Sequence, residues 1–180
     1  MKTPVRGTSS DERGLATVEL GLMLGFLMLL ALGAFEYGML FAKSQDVASA
    51  SREGARTAAS AGSETTADCL ILEAASGTLF GTSGGTVSEI AIEEGNVGAN
   101  PPRQRYRPAV ATDDPLLLAC GAWYPIQTSW PPASRDDTGV TRDWVTVEVS
   151  YEHQWITNFL WFTGTEGFSE STTMHMPPNN

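Results

Sequence analysis

The chain is poor in the residues on which most enzymes and metal sites depend. Its 180 residues include two histidines and two cysteines, with no Cys-x-x-Cys spacing or histidine cluster typical of zinc sites. No Gly-x-Ser-x-Gly nucleophile motif and no phosphate-binding glycine loop occur. His153 and His175, the candidate imidazole bases, lie in no nucleophile or metal motif. We therefore expect a protein that is not an enzyme and that holds no cofactor or metal.

Basic residues are also scarce. The chain has 11 Lys and Arg against 21 Asp and Glu, which gives a net charge of -10. Because such a chain repels a phosphate backbone, we expect no nucleic-acid partner. The local exception is "PPRQRYRP", where Arg103, Arg105 and Arg107 surround Tyr106. A run of this kind can grip an acidic partner, but it is more often a solvated loop, which we expect here.

One long apolar segment stands out near the N-terminus. Residues 15–42 contain Thr17, Glu19 and Glu36 as their clearly polar residues. A helix between the two glutamates covers about 24 Å, less than the hydrocarbon core of about 30 Å. At least one carboxylate must therefore approach lipid, where an ionised acid at the helix centre costs about 3 kcal/mol. We predict a transmembrane helix whose glutamates have a partner or a role.

The start of this segment has a specific spacing. A charged leader, residues 1–14, ends at Gly14, and Glu19 is the fifth residue after that glycine. The pattern resembles the processing site of type IV pilin-like precursors. The resemblance implies that a prepilin peptidase cuts after Gly14 on the cytoplasmic side. Cleavage would leave an α-amino group on Leu15, and Glu19 would pair with such an amine on a neighbouring subunit, since both charges are costly when unpaired in lipid.

Two further motifs extend the resemblance. "GAFEYG" occupies residues 33–38 and "ASREGARTAA" occupies residues 50–59. Together with the processing site they resemble the TadE-like family of minor pilins, or pseudopilins, of the tight adherence (Tad) pilus. The resemblance implies a single-pass protein of the bacterial inner membrane with an extracytoplasmic C-terminal domain, incorporated into a surface pilus or acting in its assembly. The implied partners are the prepilin peptidase, other Tad pilins and the inner-membrane assembly platform.

Two other interpretations of the apolar segment stay open. A plain signal anchor would keep the N-terminus at Met1 and tether a cell-envelope protein with a non-pilus binding role. A secretory signal peptide would be cleaved near Gly33 and would release a binding domain or hydrolase. The continuation of the helical pattern beyond residue 33, without a turn signal, argues against the secretory signal.

The helical pattern continues beyond the anchor. We expect residues 43–61 to form a stalk in which small residues alternate with the charged Arg52, Glu53 and Arg56. The charged residues fit a solvated face and a subunit contact equally well. Small residues at helical spacing also allow a partner helix to approach closely.

The remaining residues, 62–180, predict an outer α+β domain. "SETTADCLILEAASG" predicts a short helix with an apolar stripe that includes Leu70 and Ile71. "TVSEIAIEE", the alternating "WVTVEVSY" and the tail at residues 168–176 predict strands, the last two as an antiparallel pair. Residues 94–143, rich in proline, glycine and aspartate, predict a long loop.

The two cysteines, Cys69 and Cys120, are either a disulfide or two buried thiols. An extracytoplasmic location favours the disulfide. It would close a loop of about 50 residues and contribute about 4 kcal/mol in the chain-entropy description.

Overall fold

The structure is a computed structural model that describes residues 11–79, 85–138, 142–157 and 163–177. Most of the predicted leader, residues 1–10, lies outside the described residues. The chain divides into two compact units, Met1–Met39 and Leu40–Asn180. Two helices, five strands and two short 3-10 helices follow one another in the described ranges: α1 Asp11–Ala61, α2 Ala67–Gly77, β1 Gly85–Gly95, β2 Arg103–Pro108, a 3-10 turn Pro115–Leu117, β3 Trp123–Thr128, a 3-10 turn Pro132–Ser134, β4 Trp144–Gln154 and β5 Thr165–His175. The predicted α+β fold is confirmed.

The strands form one antiparallel sheet in the order β3-β2-β1-β4-β5. In β4 the buried residues are Val145, Val147, Val149, Tyr151 and His153, and they alternate with more exposed residues. This is the alternation that the sequence predicted. One face of the sheet, the inner face, therefore carries the hydrophobic core, and the other, the outer face, is polar.

The C-terminal part of α1 packs on the inner face. Val47, Ala50, Ala55 and Ala58 are fully buried in the same cluster as the valines of β4. A Cβ atom on Gly54 would lie 3.0 Å from Cγ1 of Val147 and 3.1 Å from Cβ of Ala75. The small residues of α1 thus allow close contact with β4 and α2 of the same chain.

This arrangement differs from the expected stalk at residues 43–61. The structure includes the helix from Leu40 onwards in the second unit. The same small residues that would admit a partner helix instead admit the chain's own sheet. A polar link adds to this contact, because Ser51 and Thr172 hydroxyls are hydrogen-bonded at 2.9 Å.

The expected loop at residues 94–143 also needs correction, because it contains β2 and β3. Arginines occupy every second position of β2, so the strand lacks the apolar alternation that reveals β4. Gln104 and Tyr106 point to the inner face, where both are buried. The disulfide between Cys69 and Cys120, with Cα atoms 5.4 Å apart, joins α2 to the connection between β2 and β3.

The apolar face of α2 is rotated from the predicted one. Ile71, Leu72 and Ala75 are buried, whereas Leu70 is 43% exposed. The buried face also contains Asp68, a charged residue, because that carboxylate has partners from β2 and from the segment after β3.

Candidate functional site

The N-terminal unit presents an apolar helix with little cover. The stretch Gly14–Ala61 is long and apolar enough to cross a membrane, with a mean hydropathy of 2.2 in a window of 18 residues, none of it buried. Its large apolar side chains are exposed on all sides of the helix, as at Leu15 (71%), Leu22 (73%) and Phe26 (58%). A surface of this kind is stable against lipid or other apolar helices, but not in water.

The three residues of the predicted processing site all lie in α1. Gly14, Leu15 and Glu19 are exposed. A Cβ atom on Gly14 would meet nothing within 4 Å. Leu15 and Glu19 are four residues apart, so they lie on one side of the helix with a rise of about 6 Å. The helix therefore places the Glu19 carboxylate about one turn from the atom that cleavage would convert to an amine.

The surroundings of Glu19 are apolar. Its neighbours Val18 and Leu20 are 61% and 67% exposed. Among the described residues no cation forms an ion pair with Glu19. If this end of the helix enters lipid, the carboxylate needs a positive group from outside the described part of the chain.

Glu36 has a different environment. It is fully buried, whereas the adjacent Phe35 and Tyr37 are 52% and 59% exposed. The two acids that interrupt the apolar segment thus differ in exposure: the Glu19 side chain is exposed, and the Glu36 side chain is buried.

The charged residues predicted as a contact lie on the side of α1 opposite the sheet. Arg52, Glu53 and Arg56 are exposed, while Gly54 and Ala55 between them face the core. None of the three belongs to an ion pair in the described ranges of the chain. The structure therefore brings them together on one exposed face, the helix face, which we define by these three residues.

The arginines of "PPRQRYRP" are committed to partners within the chain. Arg103 pairs with Glu93 at 3.0 Å, and Arg105 donates to both carboxylate oxygens of Glu89 at 2.5 and 2.6 Å. Arg107 donates to both oxygens of Asp113 at 2.6 and 2.8 Å. The expectation of a solvated loop is wrong, and the three guanidinium groups do not form a free basic surface.

The pKa values of two of the paired acids shift in opposite directions. The hydrogen bond from Arg107, together with the backbone N–H of Val110, lowers the pKa of Asp113. Burial raises the pKa of Glu93, although the charge of Arg103 acts in the opposite direction. The hydrogen bonds thus favour the ionised form of Asp113, whereas burial favours the neutral form of Glu93.

A buried polar cluster beneath the sheet was not predicted. The Asp68 carboxylate accepts hydrogen bonds from Tyr106 Oη at 2.6 Å, from Gln104 Nε2 at 3.4 Å and from Arg135 Nη2. The Arg135 guanidinium lies 4.9 Å from the centre of the Trp130 ring. Burial, followed by the hydrogen bond to Asp68, raises the pKa of Tyr106. The cluster has the features of a structural support near the disulfide.

The two candidate bases are far apart. His153 is buried near the C-terminal end of β4, and His175 on β5 lies opposite Trp144, at the other end of the same strand pair. Along β4, His153 lies nine residues from Trp144, the partner of His175, which corresponds to about 30 Å. The ring of His175 contacts Trp144, with the ring centres 4.9 Å apart. The described residues include no group of three or more His, Cys, Asp or Glu side chains that could hold a metal ion.

Comparison with known proteins identifies the N-terminal segment. No curated protein and no solved structure matches the chain. The family model of TadE-like proteins matches residues 14–56, the segment that contains Gly14, Glu19, Glu36 and the helix face. The TadE-like family is structural and not enzymatic. Together with the apolar helix, the match fits a single-pass membrane protein. The resemblance seen in the sequence is thus confirmed over residues 14–56, which match the TadE-like family, a family of pilin-like proteins associated with the Tad pilus.

Proposed function

We propose that this chain is a minor pilin, or pseudopilin, that takes part in assembly or priming of a Tad-type adhesive pilus. The observation that carries the proposal is the TadE-like match over residues 14–56, which begins at Gly14 and includes an exposed Glu19 on an uncovered apolar helix. In this proposal the prepilin peptidase cuts after Gly14, and the outer domain lies on the extracytoplasmic side of the inner membrane. The Cys69–Cys120 disulfide fits an oxidising compartment.

The Glu19 carboxylate has a mechanical role in the proposal. A subunit that enters the filament leaves lipid beside neighbours that carry a new amine at Leu15. Two unit charges at 4 Å attract each other by about 4 kcal/mol at an effective dielectric constant of about 20. An unpaired carboxylate at the centre of a spanning helix costs about 3 kcal/mol. Correct axial register satisfies both charges at once, so the pair selects the register of the incoming helix.

The partners follow from this role. The apolar helix contacts the lipid first and then the helices of other Tad pilins and of the inner-membrane assembly platform. The helix face supplies free charges for a contact beyond the membrane. Glu36, the other acid of the apolar helix, is buried, so the proposal assigns the pairing of new subunits to Glu19.

N-terminal sequencing of the mature protein tests the processing step. In cells that contain the prepilin peptidase, we expect the mature chain to begin at Leu15. A chain that begins at Met1 would instead indicate an envelope protein with a plain membrane anchor. A chain that begins near Ala34 would indicate secretion by signal peptidase.

The pairing role is tested by Glu19→Ala and Glu19→Asp. We expect both variants to enter the membrane, because removal of a charge favours insertion and Asp keeps the original charge. Glu19→Ala should reduce the amount of this protein in sheared pili at least tenfold, whereas Glu19→Asp should retain part of it. Leu20→Ala, a change at the adjacent exposed position, is the control. Normal incorporation of Glu19→Ala would refute the pairing.

A further inference from the structure

The helix face carries two like charges that the chain leaves uncompensated. Arg52 and Arg56 are four residues apart, on one side of α1, where like charges repel each other. Glu53 is adjacent, but it forms no ion pair with either arginine in the described residues. External carboxylates would relieve this repulsion, so the helix face is suited to an acidic partner.

The outer face of the sheet has a depression with the complementary chemistry. Its volume is about 280 Å³, and its lining includes Ser88, Ser150, Glu152, Gly167 and Ser169. Ser150 is paired with Ser169 across β4 and β5, and Glu152 is paired with Gly167. A Cβ atom on Gly167 would meet nothing within 4 Å, so the space beside Glu152 is open. We name this region the serine depression.

An irregularity in β1 helps to form the serine depression. The register between β1 and β4 shifts between Val87 and Glu89, which leaves Ser88 outside the regular ladder. A β-bulge of this kind redirects a side chain and interrupts the pairing. The hydroxyl of Ser88 is thereby added to those of Ser150 and Ser169.

The polar groups of the serine depression are unused within the described chain. No hydrogen bond or ion pair there involves the side chains of Ser88, Ser150, Ser169 or Glu152. Arg105, a cation of the neighbouring strands, is held by Glu89, and Glu148 adds a negative charge that also acts on Arg105. Hydroxyl and carboxylate oxygens are acceptors for the five N–H groups of a guanidinium.

The two surfaces lie on opposite sides of the outer domain. Gly54, on the buried side of α1, contacts Val147 on the inner face of the sheet, so Arg52 and Arg56 point away from it. Ser150 and Glu152 alternate with the inward-facing Val149 and Tyr151 and therefore lie on the outer face. When two different surfaces on opposite sides of a domain bind each other, the contact between copies is heterologous. Repeating it produces an open chain of copies, unless the rotation from one copy to the next closes a ring.

We propose that the helix face of one copy of this chain docks on the outer sheet face of a second copy, with Arg52 or Arg56 entering the serine depression beside Glu152. This inference rests on the proposed pilin function and specifies how the outer domains associate. The charges match, since Arg52 and Arg56 on one surface meet Glu152 and Glu148 on the other. The contact supplements the Glu19 pairing and does not require it.

Carbodiimide crosslinking of the full-length protein in membranes tests the contact. The reagent joins an amine to a carboxylate when the two groups are in direct contact. Arg52→Lys and Arg56→Lys supply the amine, and mass spectrometry identifies the carboxylate. We expect a crosslink from position 52 or 56 to Glu152 or Glu148 in dimers. Glu148→Gln/Glu152→Gln should reduce this product at least tenfold, whereas Glu73→Gln, at an exposed acid on α2, should leave it unchanged.

Charge reversal gives an independent measurement of the same contact. Arg52→Glu/Arg56→Glu damages the helix face, and Glu152→Arg damages the serine depression. Each variant alone should lose self-association at least tenfold. A mixture of the two variants should form dimers but no larger assemblies. The first variant keeps the serine depression and the second keeps the helix face, so each pair can make a single contact. Mixtures that stay monomeric, or crosslinks only to other carboxylates or other proteins, would overturn the proposal.

The proposed function has a separate readout. Maturation at Leu15 and dependence on Glu19 are scored in the same cells. If both are present while the crosslink is absent, the docking inference fails and the pilin function stands. If the chain is not cut after Gly14, the pilin function fails whatever the crosslinks show.

Discussion

At the scale of single residues, Asp68 shows that a local sequence pattern can indicate burial of a side chain without indicating its partners. Its carboxylate accepts hydrogen bonds from Gln104 and Tyr106 on β2 and from Arg135, which is 67 residues away in sequence. The sequence contained one signal for its burial, since Asp68 falls on the same helical face as Ile71 and Ala75. That signal does not identify the partners. Arg135 follows the turn Pro132–Ser134, and only the fold brings it to α2.

The residues of the proposed processing site can be named from the sequence for the opposite reason. Gly14, Leu15 and Glu19 form a local pattern in which every position is defined by its distance from the next, so no tertiary contact is needed to recognise them. The serine depression needs β1, β4 and β5 together with a register shift. No sequence pattern in any one strand indicates it.

Tyr106 provides a prediction that belongs to this scale. Burial and the hydrogen bond to Asp68 raise its pKa in the folded protein above the value of about 10 found in unfolded chains. The contribution of this group to stability is therefore fully present below pH 10 and declines as the pH rises above 10. Tyr106→Phe should lower the free energy of unfolding at pH 7 by about 1–2 kcal/mol and reduce the alkaline loss of stability.

Urea unfolding of the disulfide-intact protein between pH 7 and pH 11 measures both effects. Tyr124→Phe is the matched control, because Tyr124 lies on β3 without a hydrogen bond to a carboxylate in the described residues. It should retain the alkaline loss of the unmodified protein. An equal alkaline slope in Tyr106→Phe and in the unmodified protein would show that Tyr106 is not the group responsible.

At the scale of secondary-structure elements, the sequence predicted strands where apolar alternation is regular. β4 and β5 were predicted as an antiparallel pair, and β1 was predicted as a strand. β2 and β3 were missed because arginine and proline mask the alternation, and their stability depends on ion pairs with β1 and on pairing with each other. The order of strands was not predictable, since it is determined by contacts between distant segments.

The contact between α1 and the sheet is an element-scale feature that depends on Gly54. A larger side chain there would enter space occupied by Val147 and Ala75, at 3.0 and 3.1 Å from the first added carbon. Gly54→Leu should destabilise the C-terminal domain by about 1–3 kcal/mol, as overpacking generally does. Thermal or urea unfolding of the full-length protein in detergent measures the change.

Gly77→Leu is the matched control for this substitution. Gly77 ends α2, and a Cβ atom there would meet nothing within 4 Å. The control should change the free energy of unfolding by less than about 0.5 kcal/mol, as surface substitutions usually do. Similar effects at the two glycines would contradict the close packing of α1 on β4.

At the scale of the whole molecule, the boundary between the two units falls after Met39 and not after residue 61. The sequence alone placed a stalk between anchor and domain, because small residues at helical spacing fit a partner helix and the chain's own sheet equally well. In the structure these small residues pack on the chain's own sheet. The TadE-like match over residues 14–56 therefore includes part of the core of the second unit as well as the candidate membrane span.

This boundary leads to a prediction about truncated chains. A chain of residues 40–180, produced in an oxidising compartment, should fold cooperatively, because it keeps Val47, Ala50, Ala55 and Ala58, all fully buried. A chain of residues 62–180 lacks these residues and exposes the inner face of β4 and β5. Full burial of one valine-sized side chain contributes about 1.5–3 kcal/mol, and a domain has only about 5–15 kcal/mol in total. The shorter chain should therefore lose cooperative unfolding even with the Cys69–Cys120 disulfide formed.

Near-ultraviolet circular dichroism and urea unfolding distinguish the two chains. Equal unfolding midpoints would show that residues 40–61 are a separate stalk, and the packing of α1 on the sheet would then be refuted.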